Sequence, residues 1–425
     1  MGDHRQQVGP CAFCGRTRAE VRKLVAGPNV AICDRCIVVC RQLLDGIAAR
    51  PKSDLRAQNS AQPAPRDLDQ PTQLQGRLSL SHKPHDVKAK LDEWVIGQDR
   101  AKRNLTVAVY NHLKRIVAGP SSEVELSKSN VLLMGPSGSG KTHLARSLAK
   151  IIDAPFVEID ATPLTQAGYV GEDVDSIVLR LYRAAGGDVA RTQGGVVYID
   201  EIDKLACRRG QDRDVSGEGV QQGLLKILEG KKVLLRPPDR SGLGGDPIEI
   251  DTTNILFIGG GAFSGVIENV MARKRSRTGF RVPLDAGDGT HASTASYADV
   301  TPTDLFRFGL LPEFIGRFPV LVPLDPLDEE ALVSILVNPR DALLKQYQRL
   351  FALDGGMLEV TTGGLHALAR AALSRKTGAR GLRAVLEDLL LDAMFELAGT
   401  PARFVIDEAS VSTGIVRKLP YRTAA

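Results

Sequence analysis

The segment Gly135-Pro136-Ser137-Gly138-Ser139-Gly140-Lys141-Thr142 constrains the fold more than any other part of the chain. Its spacing is G-x4-G-K-T. A glycine-rich turn of this kind lets successive backbone N–H groups point inward at phosphate oxygens. It keeps that shape when a buried strand leads in and a helix leads out. The apolar run Asn130-Val131-Leu132-Leu133-Met134 supplies the strand, and a helix is expected from about Lys141. Lys141 would bring a point charge to the β and γ oxygens of a nucleotide, and Thr142 a hydroxyl ligand for Mg²⁺. His143, next along the helix, belongs to the same expected nucleotide-binding set.

A second run completes the chemistry. Gly195-Val196-Val197-Tyr198-Ile199 reads as a buried strand and ends in Asp200-Glu201. Asp200 at the strand tip is placed to hold Mg²⁺, and Glu201 to polarise an attacking water as general base. Further buried strands are expected at Phe156–Ile159 and Asn254–Ile258. Helices are expected around Val87–Leu91 and through Leu105, Val109, Leu113 and Val117 at four-residue spacing. Strands alternating with helices predict a parallel sheet covered on both faces. Beyond about Pro323 helical patterns dominate, at Glu329–Val337, Pro339–Leu353, Gly364–Ser374 and Leu382–Leu397. Short strands are expected at Leu358–Val360 and Phe404–Ile406.

Five of the six cysteines lie in the first 40 residues. Cys11/Cys14 and Cys33/Cys36 form two C-x2-C knuckles separated by eighteen residues, Gly15 to Ile32. That spacing suits one tetrahedral four-sulfur zinc site, whose filled coordination leaves no place for metal catalysis. A unit so small needs the metal for its stability. Cys40 reads as an apolar residue of a following helix, with a fifth ligand as the other reading; Cys207 is given no role. From Arg50 the chain turns rich in Pro, Gln, Ser and Arg with little period, as a flexible linker does. The expected division is 1–46 zinc-binding, 47–82 linker, 83–320 large ATPase domain and 321–425 small domain.

Composition excludes little but guides the choice. A net charge of +5 on 425 residues and 5% aromatics give no footprint for nucleic acid. No apolar run approaches the roughly 20 residues of a membrane span, and the N-terminus has no signal-like apolar region. The expectation is a cytoplasmic protein with no membrane partner.

Several motifs together resemble the ClpX family of AAA+ unfoldases. They are GYVGED at 168–173, IDEIDK at 199–204, DVSGEGVQQ at 214–222, LPEFIGRFP at 311–319 and KTGARGLR at 376–383. The CxFCG start and VRKLVAGP at 21–28 belong to the same pattern. The resemblance implies an AAA+ large domain, a mainly helical small domain and a treble-clef or ribbon-like zinc domain. It also implies a homohexameric ring that hydrolyses ATP, unfolds protein substrates and feeds them to the ClpP peptidase, without being a peptidase itself. By the same resemblance Val95 and Ile96 contact adenine. Arg317 is the finger that reaches a neighbouring subunit's γ-phosphate, and Arg380 is the sensor-2 arginine within the subunit. Tyr169 and Val170 form the pore loop that grips substrate. The zinc domain would self-associate or bind adaptors.

Three segments depart from the family pattern. Pro237–Asp246 has one arginine and two acids where the family has an Arg-Lys-His loop at the pore entrance. Thr278-Gly279-Phe280 stands where an Ile-Gly-Phe tripeptide docks on ClpP. The Leu205–Arg213 loop is short and basic. The altered tripeptide motivates an alternative, a divergent remodelling chaperone that acts without ClpP. A nucleic-acid motor using the zinc unit as a DNA module is a third class, disfavoured by the low charge and by GYVGED.

Overall fold

The computed structural model describes residues 10–12, 14, 16–17, 20–26, 31–37, 83–119, 124, 126–164, 174–207, 217–235, 247–277, 296–397 and 402–419. The chain divides into two compact units, Met1–Asp69 and Gln70–Ala425. In the first, strands β1 (Leu24–Ala26) and β2 (Ala31–Cys33) pair antiparallel, Leu24 opposite Cys33. Two strands of three residues are far below what an independent sheet needs. The buried side chains described there include Cys11 and Cys33 themselves.

The second unit begins with α1 (Pro84–Asp92) and α2 (Asp99–Ala118). Then come β3 (Val131–Met134), α3 (Lys141–Ile151), β4 (Phe156–Asp160), α4 (Asp175–Ala184), α5 (Val189–Gln193) and β5 (Val196–Asp200). A 3₁₀ turn at Ile202–Leu205 precedes α6 (Glu218–Glu229), the hairpin strands β6 (Lys232–Leu235) and β7 (Ile248–Asp251), and β8 (Leu256–Gly261). Helices α7 (Ser264–Arg277), α8 (Pro302–Phe308) and α9 (Pro312–Gly316) lead to β9 (Val320–Pro323). The main sheet runs β4-β5-β8-β3-β9, and every pairing in it is parallel.

Its strands read as continuous apolar runs because helices cover both faces. All four residues of β3 are buried. The pleat sends Leu132 and Met134 to one core, with Ile177, Leu224 and Val266 from α4, α6 and α7. It sends Val131 and Leu133 to the other, with Leu105, Val109 and Leu148 from α2 and α3. The carboxyl end of β3 therefore opens between β8 and β9, both of which enter the sheet later in sequence. Open α/β sheets bind ligands at such a switch in strand order.

Beyond β9 lie α10 (Glu329–Val337), α11 (Leu343–Leu353), β10 (Met357–Val360), α12 (Thr362–Ser374), α13 (Ala379–Leu397), β11 (Arg403–Ile406), α14 (Glu408–Thr413) and β12 (Arg417–Leu419). They enclose a separate core of Leu336, Phe351, Leu368, Leu386, Leu390 and Phe404. The three strands order β10-β11-β12.

The expected strands and helices appear, with shifted ends. Helix α11 starts at Leu343 rather than Pro339, because residues 339–342 form a turn first. Strand β9 straddles the expected 320/321 division and belongs to the large sheet. Elements that no expectation named include the β6–β7 hairpin, α7 and β9. Tyr169 and Val170, Cys40, the linker at 47–82, and the segments 237–246 and 278–280 lie outside the described residues.

Candidate functional site

The phosphate loop turns on two glycines with left-handed backbones, Gly138 at φ +74° and Gly140 at φ +95°. Lys141, at the first turn of α3, is nine-tenths buried, and its Nζ donates to the loop carbonyls of Gly135 (2.8 Å) and Pro136 (2.9 Å). Burial lowers its pKa; the carboxylates of Asp200 and Asp203 pull the other way. A cation held on the loop at a helix N-terminus suits a polyphosphate.

Asp200 at the tip of β5 faces the loop. Thr142 Oγ1 donates to its Oδ2 at 3.1 Å. Tyr198 Oη donates to its Oδ1 at 3.1 Å, and the Glu201 N–H to the same oxygen at 2.9 Å. Burial, then the Asp200 charge, drives the Tyr198 phenol pKa up, so it stays protonated as a donor. The ring fits because the neighbouring strand carries Gly260: a Cβ there would lie 2.0 Å from Tyr198 Oη. A hydroxyl and a carboxylate oxygen this close are a hard-oxygen pair suited to Mg²⁺, which keeps several waters and few protein ligands. Glu201 is exposed, with its backbone at φ +55°, and that left-handed step turns it out of the strand line. Thr162 Oγ1 donates to its Oε2 at 3.2 Å. Asp203, on the 3₁₀ turn, accepts from the Ala262 N–H (3.2 Å) and Phe263 N–H (3.3 Å), tying the tips of β5 and β8 together.

Lys141, Thr142, Asp200, Glu201 and Asp203 line one cavity of ≈ 610 Å³ together with Trp94, Val95 and Ile96 from the α1–α2 connection, and Arg380 and Arg383 from α13. That volume lies in the range of small-molecule sites. The helical part touches the phosphate loop directly, for the Ala379 N–H donates to the Gly138 carbonyl at 3.1 Å. The structure thus gathers Lys141, Thr142, His143, Asp200, Glu201, Arg380, Val95 and Ile96 around one space. His143 also reaches the Trp94 carbonyl with Nε2 at 3.1 Å. Arg317 does not line this space. It caps α9 and pairs with Glu229 of α6 at 2.6 Å, both side chains half exposed.

The sequence reading passed over Tyr198, Thr162, Asp203 and Gln98. Only Asp203 carried a visible signal, the third acid of IDEIDK.

In the first unit the sulfurs of Cys11, Cys14, Cys33 and Cys36 all lie within 4.8 Å of one another. A tetrahedral ion with Zn–S of about 2.3 Å sets its sulfurs about 3.8 Å apart; Cys14 and Cys33 are 3.7 Å apart. The Cys33 N–H points at Cys11 Sγ (3.3 Å) and the Cys36 N–H at Cys33 Sγ (3.4 Å). Backbone donors on the sulfurs favour thiolates. The residues fit zinc.

Comparison with known proteins finds family profiles over both regions. Three family profiles match in order: a ClpX C4-type zinc finger over residues 10–46, an AAA domain (Cdc48 subfamily) over 126–321, and the C-terminal, D2-small domain of ClpB protein over 327–399. The chain is 45% identical over 405 residues to "ATP-dependent Clp protease ATP-binding subunit ClpX 3" of Methylococcus capsulatus, covering 91% of this chain and 88% of that protein. It is 46% identical over 409 residues to "ATP-dependent Clp protease ATP-binding subunit ClpX" of Azotobacter vinelandii, covering 92% and 87%.

Proposed function

Since the chain belongs to the ClpX family of AAA+ ATPases, we propose that it is an ATP-driven unfoldase that threads protein substrates into the ClpP peptidase. The observation that carries this reading is the convergence of the phosphate loop, the β5 acids and the α13 arginine on one cavity between the parallel sheet and the helical part.

In this reading the phosphate loop and Lys141 bind the triphosphate, and Val95 and Ile96 hold the base. Thr142 and Asp200 would hold Mg²⁺, which when bound neutralises charge on the phosphate oxygens. Glu201 accepts the proton of the attacking water. Arg380 reaches the phosphates from the helical part, so their loss alters the contact that fixes that part against the sheet. Arg317 lies away from its own subunit's cavity, as a residue serving a neighbour's site would. Its partner Glu229 keeps the guanidinium oriented. A finger supplied in trans requires a closed ring, and the assembly is a homohexamer. Tyr169 and Val170 line its pore and move with the rigid-body change.

The names of both relatives tie them to a Clp protease, which favours coupling to ClpP over a chaperone that works without a peptidase. The zinc unit serves self-association or adaptor binding. Among the described residues no helix is long and apolar enough to cross a membrane, and the place of action is the cytoplasm. The test is a degradation assay with purified ClpP and a stable tagged protein. ATP-dependent loss of the substrate is expected; unfolding that proceeds equally with ClpP absent, with no capture of ClpP in ATP, would favour the chaperone instead.

A further inference from the structure

The connection from Glu93 to Gln98 supplies Trp94, Val95 and Ile96 to the cavity wall. Its ends make contacts that the nucleotide chemistry does not use. At the far end Gln98 is buried, at 8% exposure, with its backbone at φ +56°. Its side-chain amide pairs at two points with the backbone of Asp325. Nε2 donates to the Asp325 carbonyl at 2.8 Å, and the Asp325 N–H donates to Oε1 at 2.9 Å. Nε2 also lies 3.5 Å from the Ser139 carbonyl in the phosphate loop. Asp325 sits in the segment that joins β9 to α10, where the chain leaves the sheet for the helical part.

At the near end Glu93 meets the helical part directly. The Arg340 N–H donates to the Glu93 carbonyl at 3.1 Å, and Arg340 Nε pairs with Glu93 Oε2 at 2.9 Å. The Arg340 guanidinium stands 6.0 Å from the Trp94 ring centroid, and Lys150 of α3 stands 4.1 Å from it. The middle of the connection is pinned to the sheet side: buried Lys102 donates to the Val95 carbonyl at 2.6 Å and to Asp92 at 2.7 Å.

We propose that Glu93–Gln98 is a two-point clasp that makes the tilt of the helical part depend on the occupant of the base pocket, with Gln98 and Arg340 as its positioning residues. The reasoning is mechanical. One short segment lines the cavity where the base would sit and touches the phosphate loop, the exit from the sheet and the helical part. Its centre is fixed by Lys102 to α2, which packs on the sheet. A change in the tilt strains the Gln98–Asp325 pair or the Glu93–Arg340 contact unless the pocket wall moves with it. The two ends differ in weight. The Gln98 pair is buried and bidentate, and removing one partner leaves polar groups without a mate. The Arg340 pair is half exposed, and such pairs contribute little. The clasp rests on the reading of the cavity as a nucleotide site.

The experiment uses Gln98→Glu, which keeps the shape but sets a carboxylate oxygen against the Asp325 carbonyl, and Arg340→Ala on the surface. Three quantities are read: ATP turnover without substrate, substrate unfolded per ATP, and the change in tryptophan emission between the nucleotide-free protein and the protein with ATPγS. Trp94 is the single tryptophan of the chain, so the emission reports this segment alone. Gln98→Glu is expected to lower substrate unfolded per ATP about tenfold while ATP turnover falls less than about threefold, from the cost of one buried unmatched group. Arg340→Ala should lower the yield about twofold, in keeping with an exposed pair. In both variants the emission change should shrink. Wild-type yield per ATP and wild-type emission change in Gln98→Glu would overturn the clasp, as would equal loss of turnover and unfolding. If the wild-type protein unfolds no substrate, the proposed function fails, and the emission change alone judges the clasp: shrinkage in Gln98→Glu supports it, persistence overturns it.

Discussion

In the N-terminal unit four sulfurs converge beside two strands of three residues each, whereas the phosphate loop is carried by a five-stranded sheet with a buried core on each face. Among the described residues, the secondary structure beside the sulfurs is two strands of three residues each and a short helical turn. The loop has β3, buried along its whole length, before it and α3 after it. In the first region the ligand makes the fold; in the second the fold makes the ligand site. The same chain can therefore lose one ligand and unfold a unit, or lose the other and keep its structure.

Removing one zinc ligand should have the greatest consequence for stability. Cys14→Ser takes away a ligand of a site whose metal supplies on the order of 10 kcal/mol of folding free energy in small domains. Zinc content should fall to near zero, and amides between residues 10 and 37 should lose hydrogen-exchange protection, while ATP turnover persists. Protection unchanged without metal would break the comparison.

The junction between the phosphate loop and the helical part is the second point of attack. A Cβ on Gly138 would lie 2.1 Å from the Thr377 carbonyl oxygen, at a backbone angle side chains rarely adopt. A Cβ on Gly140 would meet open space at a comparable angle. Gly138→Ala should cost about 3 kcal/mol or more through clash plus strain, and Gly140→Ala about 1–2 kcal/mol through strain alone. Thermal midpoints of the two variants measure the gap. Equal midpoints would mean that the helical part does not lean on the loop.

A smaller effect probes the sheet from its opposite end. His112 of α2 is buried with Nε2 3.1 Å from the Asn254 carbonyl. Burial, then the charges of Arg115 and Lys128, pushes its pKa down to about 3 from an ordinary 6.5; the Asn254 hydrogen bond opposes this. The folded state thus binds fewer protons than the unfolded chain between those values. The stabilisation is complete above about pH 6.5 and is lost as pH falls toward 3. The slope should reach at most about 1.4 kcal/mol per pH unit. Urea midpoints of wild type and His112→Gln between pH 7 and 5 test it, the variant giving the flatter profile.

How far the sequence disclosed these regions follows from the same contrast. The knuckles and the phosphate loop were legible because each chemistry demands fixed residue types at fixed spacing. Asp200 and Glu201 were legible because two acids ending an apolar strand have few other uses. Arg317 and Arg380 were named through family resemblance alone; their own neighbourhoods in sequence carry no signal. Gln98 was missed because its partner Asp325 is 227 residues away and offers its backbone, which no side-chain pattern records. Tyr198 read as one more apolar strand residue, although its hydroxyl orients Asp200. The β6–β7 hairpin carried little signal: Lys232-Val233-Leu234-Leu235 is one polar residue followed by three apolar ones, and its exposed–buried alternation appears only in the fold. Helix α7 gave less, since Val266 and Val270 are its fully buried residues among many charged ones.

The central claim is that hydrolysis in the cavity drives work on polypeptide. The direct measurement is ATP-dependent unfolding of a stable tagged protein by wild type and by Glu201→Gln, with nucleotide binding recorded alongside. Loss of the general base should slow ATP turnover by roughly 10²–10⁴-fold, abolish unfolding, and leave ATP binding within about threefold of wild type, since no positive group near the phosphates is removed. Unfolding by Glu201→Gln at the wild-type rate would contradict the account.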